Sequence, residues 1–217
     1  RRICEARHMS RQTLATVTLG SLLALAASGV ARATGAQTFV LDPVHTQIVF
    51  FADHLGFSHA IGRLKVKQGW FTFDADDWST ARADVVIDMT SLDMGDAEWT
   101  AKVADRAFLD AGNAPTARFL GNALERKTAD SGILHGELWL RGVHHDVDLA
   151  VTFNRQGTDP YAFKSKAGFS ATATLDRFDF GMSTFRDVVA GPVELRIEVE
   201  GIRSKHKEIE NDADEKQ

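Results

Sequence analysis

With 217 residues, 44% of them hydrophobic and 25% charged, the chain is long enough for one domain with a substantial core and too apolar to be disordered. Its formal net charge of -5 understates the acidity of the body: residues 1–33 hold five arginines and one glutamate, so the rest sets 20 basic groups against 29 acidic ones, about -9. With no clustered Lys/Arg face, that body excludes nucleic acid as the natural partner and argues against docking on anionic lipid headgroups.

Residues 9–33 read as a targeting segment. Met9-Ser10-Arg11-Gln12 is a short positive start, and Leu14 to Ala27 is apolar but too short to span a bilayer securely. Ala31-Arg32-Ala33 then supplies the small residues a signal peptidase reads, which predicts a periplasmic protein beginning at Thr34. The rival is an uncleaved N-terminal anchor. Residues 1–8 look like a start annotated too early. The one cysteine, Cys4, lies upstream of the signal, so the mature chain is expected to hold neither thiol nor disulfide and to rest on its core and hydrogen bonds. No later apolar run approaches a membrane span.

From Gln37 onward the dominant pattern alternates apolar and polar with period two. Residues 44–53 are apolar on both sides, with Ile48 and Phe50 against Val49 and Phe51. In residues 64–74 the inward face flips near Gly69, from Leu64 and Val66 to Phe71 and Phe73, which predicts a bulge there. Ala83, Val85 and Ile87 form the next face. A short helix is expected near Asp96–Ala107 and a strand near Ala117–Glu125. Leu134, Leu138 and Leu140 share a face, as do Val143, His145, Val147, Leu149, Val151 and Phe153. Phe163, Ala167, Phe169, Ala171, Ala173 and Leu175 come next, then Val193, Leu195, Ile197 and Val199. The boundaries that follow are residues 1–33 removed, a domain over 34–203, and a charged, disordered tail over 204–217.

Eight such strands, mostly antiparallel, with one short helix predict an all-β fold, either a closed barrel or a β-sandwich. A closed eight-stranded barrel leaves no exposed edge, and its interior is filled by side chains or holds one small ligand. Fourteen phenylalanines against one tyrosine suit a dry interior, packed or hollow. Ala171, Ala173 and Gly136 point inward and hint at free volume beside the rings.

Candidate chemistry is thin. His144, Asp146 and Asp148 share a strand face, but a solvated one, while His145 points the other way, so no metal site is expected. His45, His54 and His59 form a second cluster; His54, on the face of Ile48 and Phe50, suits a buried hydrogen-bonded role or a contact to a ligand headgroup. Asp74, Asp76 and Asp77 offer too few oxygens for calcium. There is no Gly-x-Ser-x-Gly, no mature cysteine nucleophile and no phosphate-binding glycine loop.

Asp42-x-x-His45-Thr46-x-Ile48-x-Phe50 running on to His54-Leu55-Gly56 resembles the opening signature of YceI-like proteins. Phe108 through Ala114-Pro115-Thr116-Ala117-x-Phe119, Gly136-x-Leu138 to Gly142-Val143, and Arg177-Phe178-Asp179-Phe180-Gly181 are similar to the family's later blocks. Together they span residues 39–201 in the right order. Thr46 stands where the family usually has Ser, and Asp146 where it often has Pro. The resemblance implies a lipocalin-like antiparallel barrel, commonly periplasmic, that encloses a long apolar chain such as a polyisoprenoid or fatty amide, without catalysis or cofactor. The residues expected to wall it are Ile48, Phe50, His54, Phe57, Val85, Ile87, Phe119, Leu138, Leu149, Phe169, Ala171 and Phe180, with Phe57 and Phe180 near the mouth. The expected partner is a long-chain isoprenoid or other lipid, with a homodimer left open. The rivals are a metal- or His-dependent enzyme on His45, His54 and His59, and a filled-core barrel acting as a partner-binding module.

Overall fold

The computed structural model describes residues 35–205. The expected signal segment and cleavage site therefore lie outside the described residues, as does the tail beyond Lys205. Nine strands run β1 Gln37–Leu41, β2 Gln47–His54, β3 Ser58–Phe73, β4 Arg82–Asp93, β5 Thr116–Arg126, β6 Ser131–Leu140, β7 Val143–Thr158, β8 Ser165–Asp176 and β9 Val189–Ser204. All pairings are antiparallel, and the sheet closes on itself. The alternation predicts a barrel or a sandwich; the structure is the barrel.

Nine segments make eight staves because β1 and β2 share one slot. β1 pairs with Trp70–Phe73 of β3 and with residues 201–204 of β9, and β2 pairs with residues 58–65 of the same β3 and with 189–198 of the same β9. The stave breaks at residues 42–46, where Pro43 has no N–H to give a ladder. Asp42 Oδ1 accepts the Val44 N–H at 3.1 Å, and the Thr46 N–H donates to the Asp42 carbonyl at 2.9 Å. The Thr46 hydroxyl then replaces the missing ladder: it donates to the Glu200 carbonyl at 3.2 Å and accepts the Glu200 N–H at 3.3 Å. Burial works against the Asp42 carboxylate, but the His45 ring at 2.7 Å and the Val44 N–H hold its pKa below the ordinary value.

The inward face of β3 does flip, but two residues before Gly69. The register against β4 slips between Val66 and Gln68, so the bulge sits at Lys67. Gly69 answers a different need: a Cβ there would come within 2.8 Å of the Leu41 side chain and 2.9 Å of the Asp84 carbonyl. It lets β1 and β4 approach.

Three other expectations shift. Phe163 does not lie on β8; it sits at φ 54 in the preceding turn and is exposed. Ser204 does not open a disordered tail but ends β9, opposite Thr38. Val44 belongs to the turn between β1 and β2 and is exposed.

The turns gather at two ends. The lower end carries residues 74–81, with a 3-10 turn Trp78–Thr80, and the turns after β5 and β7. The upper end carries residues 55–57, 94–115, 141–142 and 177–188. Its helix α1, Ala97–Ala104, starts where predicted: the Asp96 carboxylate accepts the Trp99 N–H at 2.9 Å, a cap contributing about 1 kcal/mol.

Candidate functional site

The lower third of the barrel is packed with rings. Phe73 lies 4.9 Å from Phe169, 5.0 Å from Phe153 and 5.5 Å from Trp78 between ring centroids. Phe71 stacks on Phe39 at 5.1 Å and meets Phe169 edge-on at 5.5 Å. Trp78, folded in by its 3-10 turn, lies beneath and is buried. This is a solid floor.

Above it the barrel is hollow. A cavity of about 880 Å³ runs up from the floor, lined almost wholly by apolar side chains, a size typical of small-molecule sites. The interior is therefore not filled, which removes the filled-core alternative.

Two rings explain why the hollow persists. Phe50 faces Gly62 across β2 and β3, and its ring occupies the volume a Gly62 Cβ would take. The Phe119 ring lies in the same way over Gly136 of β6. Each glycine lets a neighbouring ring lie flat on the wall instead of standing into the bore. Gly136 thus adds no free volume of its own, contrary to the expectation from its size; it is a seat. Inward Ala171, 6% exposed, does border the cavity.

Of the twelve residues expected to form the wall, eleven line this cavity: Ile48, Phe50, His54, Val85, Ile87, Phe119, Leu138, Leu149, Phe169, Ala171 and Phe180. Phe57 does not. It sits at the tip of the β2–β3 turn, 88% exposed, because the turn carries it past the last ladder pair, His54 with Ser58.

The mouth is built by α1 and by a strap over residues 178–188. His54 meets the Trp99 ring edge-on at 6.4 Å, and Phe108 stacks on Phe185 at 5.9 Å. Asp53, Asp96, Glu98 and Lys102 add charge at this end. Arg177, only 3% exposed, ties the strap down. Its Nε donates to the Ala190 carbonyl at 3.0 Å, Nη1 to Thr184 at 3.0 Å and to Met182, and Nη2 to Val189 at 2.7 Å and Phe185 at 3.4 Å. Burial lowers its pKa from the ordinary arginine value, with no carboxylate among these partners. Arg177 stands in the quoted Arg-Phe-Asp-Phe-Gly block, yet only Phe180 was drawn from that block as a wall residue; a cation closing a strand is the signal that marks a clamp.

The histidines do not form one centre. His45 and His54 flank opposite ends of β2, roughly 25 Å apart by strand rise, and His59 is exposed on β3. His45 is therefore too far from His54 and His59 for the three to share one centre. Among the described residues one group of possible ligands converges, Asp42, His45 and Glu200, with ligand atoms within 4.8 Å of one another. Its members are already engaged, His45 with Asp42 and Glu200 with the Lys166 ammonium at 3.1 Å. His144 stacks on Trp139 at 4.4 Å, while Asp148 pairs with His135 at 2.7 Å on the outer face. His145, expected inward, lies exposed and reaches the strap at the Asp179 carbonyl, 3.0 Å away. Asp74 and Asp77 cap their own turn. No described helix is long and apolar enough to cross a membrane.

An eight-staved antiparallel barrel around an apolar cavity, with a helix and strap at one end, is a lipocalin-like barrel. Residues 39–201 match the YceI-like domain, and the chain belongs to the YceI-like family. The UPF0312 protein of Pseudomonas paraeruginosa is 34% identical over 197 residues, covering 90% of this chain and 100% of that one. The crystal structure of Burkholderia cenocepacia BcnA is similar with a TM-score of 0.65 at 20% identity, over 74% of this chain and 98% of that one. A polyisoprenoid binding domain from Saccharophagus degradans, implicated in plant cell wall breakdown, is similar with a TM-score of 0.59 at 14% identity, over 77% and 99% of the two chains.

Proposed function

We propose that this protein is a periplasmic carrier that encloses a long apolar chain, a polyisoprenoid or fatty-acid derivative, and catalyses nothing. The observation that carries the reading is the cavity itself: about 880 Å³, lined almost wholly by apolar side chains, with packed rings at its lower end and charged groups only near its ends. Each methylene buried there contributes about 0.8 kcal/mol, so a chain of several isoprene units exceeds ten kcal/mol gross before the cost of immobilising it. The polyisoprenoid binding domain of Saccharophagus degradans has the same fold, and the apolar segment before Thr34 supports export. The test is organic extraction of the purified protein followed by mass spectrometry, with an intact mass of the periplasmic fraction. A co-purified long-chain lipid and a mature chain beginning at Thr34 are expected. A protein that carries no apolar molecule and takes up no added prenyl alcohol overturns the carrier reading, and a mass retaining residues 9–33 overturns the cleavage.

A further inference from the structure

We infer that the aromatic floor makes the barrel a length gauge: it accepts apolar chains up to about seven isoprene units and gains nothing from longer ones. The inference rests on the carrier reading and adds to it an upper size for the ligand. Phe71, Phe73 and Phe169 face the cavity from below, backed by Phe39, Phe153 and Trp78. Phe39 and Phe73 are 0% and 1% exposed, and ring centroids in the cluster lie 4.9–6.2 Å apart, so these rings block the bore where they stand, with Ala81, Arg82 and Leu124 lining the lowest part of the cavity beside them. A chain entering at the helix end stops on these rings. A dry cavity of about 150 Å³ accommodates benzene, or roughly 25 Å³ per carbon. At that density 880 Å³ takes up roughly 35 carbons, or about seven isoprene units. Further units must hang out of the mouth in water, where they add no burial.

Ala171 sets where the gauge begins. It lies one inward position above Phe169 on β8, opposite Val151 and Ile197, with a side chain too small to reach the middle of the bore. A phenyl group there would raise the floor by about one isoprene unit. Removing the Phe169 ring would lower it by a similar amount. The two substitutions move the limit in opposite directions, which a general loss of packing does not do.

The experiment uses delipidated full-length protein and a graded series of prenyl alcohols, from three to eleven isoprene units, with dissociation constants read for wild type, Ala171→Phe and Phe169→Ala. Affinity should rise roughly tenfold or more with each added unit and level off at about seven. The break should fall about one unit earlier in Ala171→Phe. In Phe169→Ala it should fall about one unit later; Phe169→Leu serves if the alanine variant does not fold. Affinity that climbs steadily through the longest alcohol, or a break that stays put in the variants, overturns the gauge while leaving the carrier intact. Binding of no alcohol at all overturns the carrier reading and the gauge with it.

Discussion

The lower and upper parts of the barrel are built from the same strands with the same alternation, yet one is solid and the other hollow. On β3 the inward residues below the bulge are Phe71 and Phe73, which meet other rings; above it they are Gly62, Leu64 and Val66, which meet space or lie beneath a ring. Hydrophobicity does not separate the two regions. What separates them is whether the rings gather. Phe50 and Phe119 lie flat over Gly62 and Gly136 and meet no other ring among the described residues, whereas Phe71, though it lies against Gly201, meets Phe39 and Phe169, and Phe73, Phe153 and Phe169 meet one another.

The largest expected contrast comes from truncating one buried side chain in each region. Phe73→Ala empties volume inside a packed cluster and should cost about 3–5 kcal/mol, whereas Leu138→Ala enlarges a void that already exists and should cost about 2. Urea unfolding of the delipidated proteins decides it, since bound lipid would itself raise stability. Equal losses would mean that the upper half is as tightly packed as the floor.

Arg177→Met strips the strap of its shared donors and should cost about 2–4 kcal/mol, softened because carbonyls at the mouth recover some water. Hydrogen exchange should quicken first over residues 178–189 and leave the floor unchanged. Uniform quickening would place the clamp in the common core instead of at one end.

Gly136→Ala should cost about 1–3 kcal/mol, because the new methyl group drives the Phe119 ring off its seat and presses on the Leu120 carbonyl of β5. The ring then stands in the bore, so the variant should also lose capacity for a long-chain probe. Unchanged capacity would show that glycine seats do not keep the upper half open.

The smallest effect is expected at the break between β1 and β2. The Asp42 pKa is below its ordinary value of 3.8 in the folded chain. Its contribution to stability is therefore present above about pH 4 and is lost as pH falls through the lowered value. Asp42→Asn keeps an acceptor for Val44 but not the charge facing His45. Its melting temperature should accordingly fall less steeply than wild type between about pH 4 and 2; parallel curves would remove Asp42 from the acid response.

Most of the fold could be read from the residues, because β7, β8 and β9 alternate cleanly between an apolar face and a largely polar one. The failures share a cause: alternation says which face is inward but not what fills it. Gly136 read as space because a sequence does not show that Phe119 of the neighbouring strand leans over it. Glycine commonly marks a bulge, which points to Gly69, while the slip at Lys67 depends on the register with β4. Phe57 and Phe163 continue apolar patterns past the last ladder pair, where a turn redirects them. The division of one stave into β1 and β2 depends on Thr46 bonding to Glu200, 154 residues away. Arg177 at the end of β8 is a visible cation, but its partners are carbonyls, which any sequence supplies, so what it clamps is not legible.

That divided stave also shapes how the chain reaches its native state. Outside the seam of β1 and β2 with β9, every ladder joins strands that follow one another along the chain, except β1 with β3, which skips only β2, and all of them can form early. The seam that sets Ile48 against Ile197 cannot. It must wait for the last strand and bear the loop-closure entropy of nearly the whole domain, so it is the expected slow step of folding. Until then the curled sheet carries two unpaired edges beside its phenylalanines, the state most prone to pair with another copy of itself. A deletion within Val189–Ser204 would make that state permanent, whereas loss of Gln37–Leu41 would leave β2 to hold the upper seam closed.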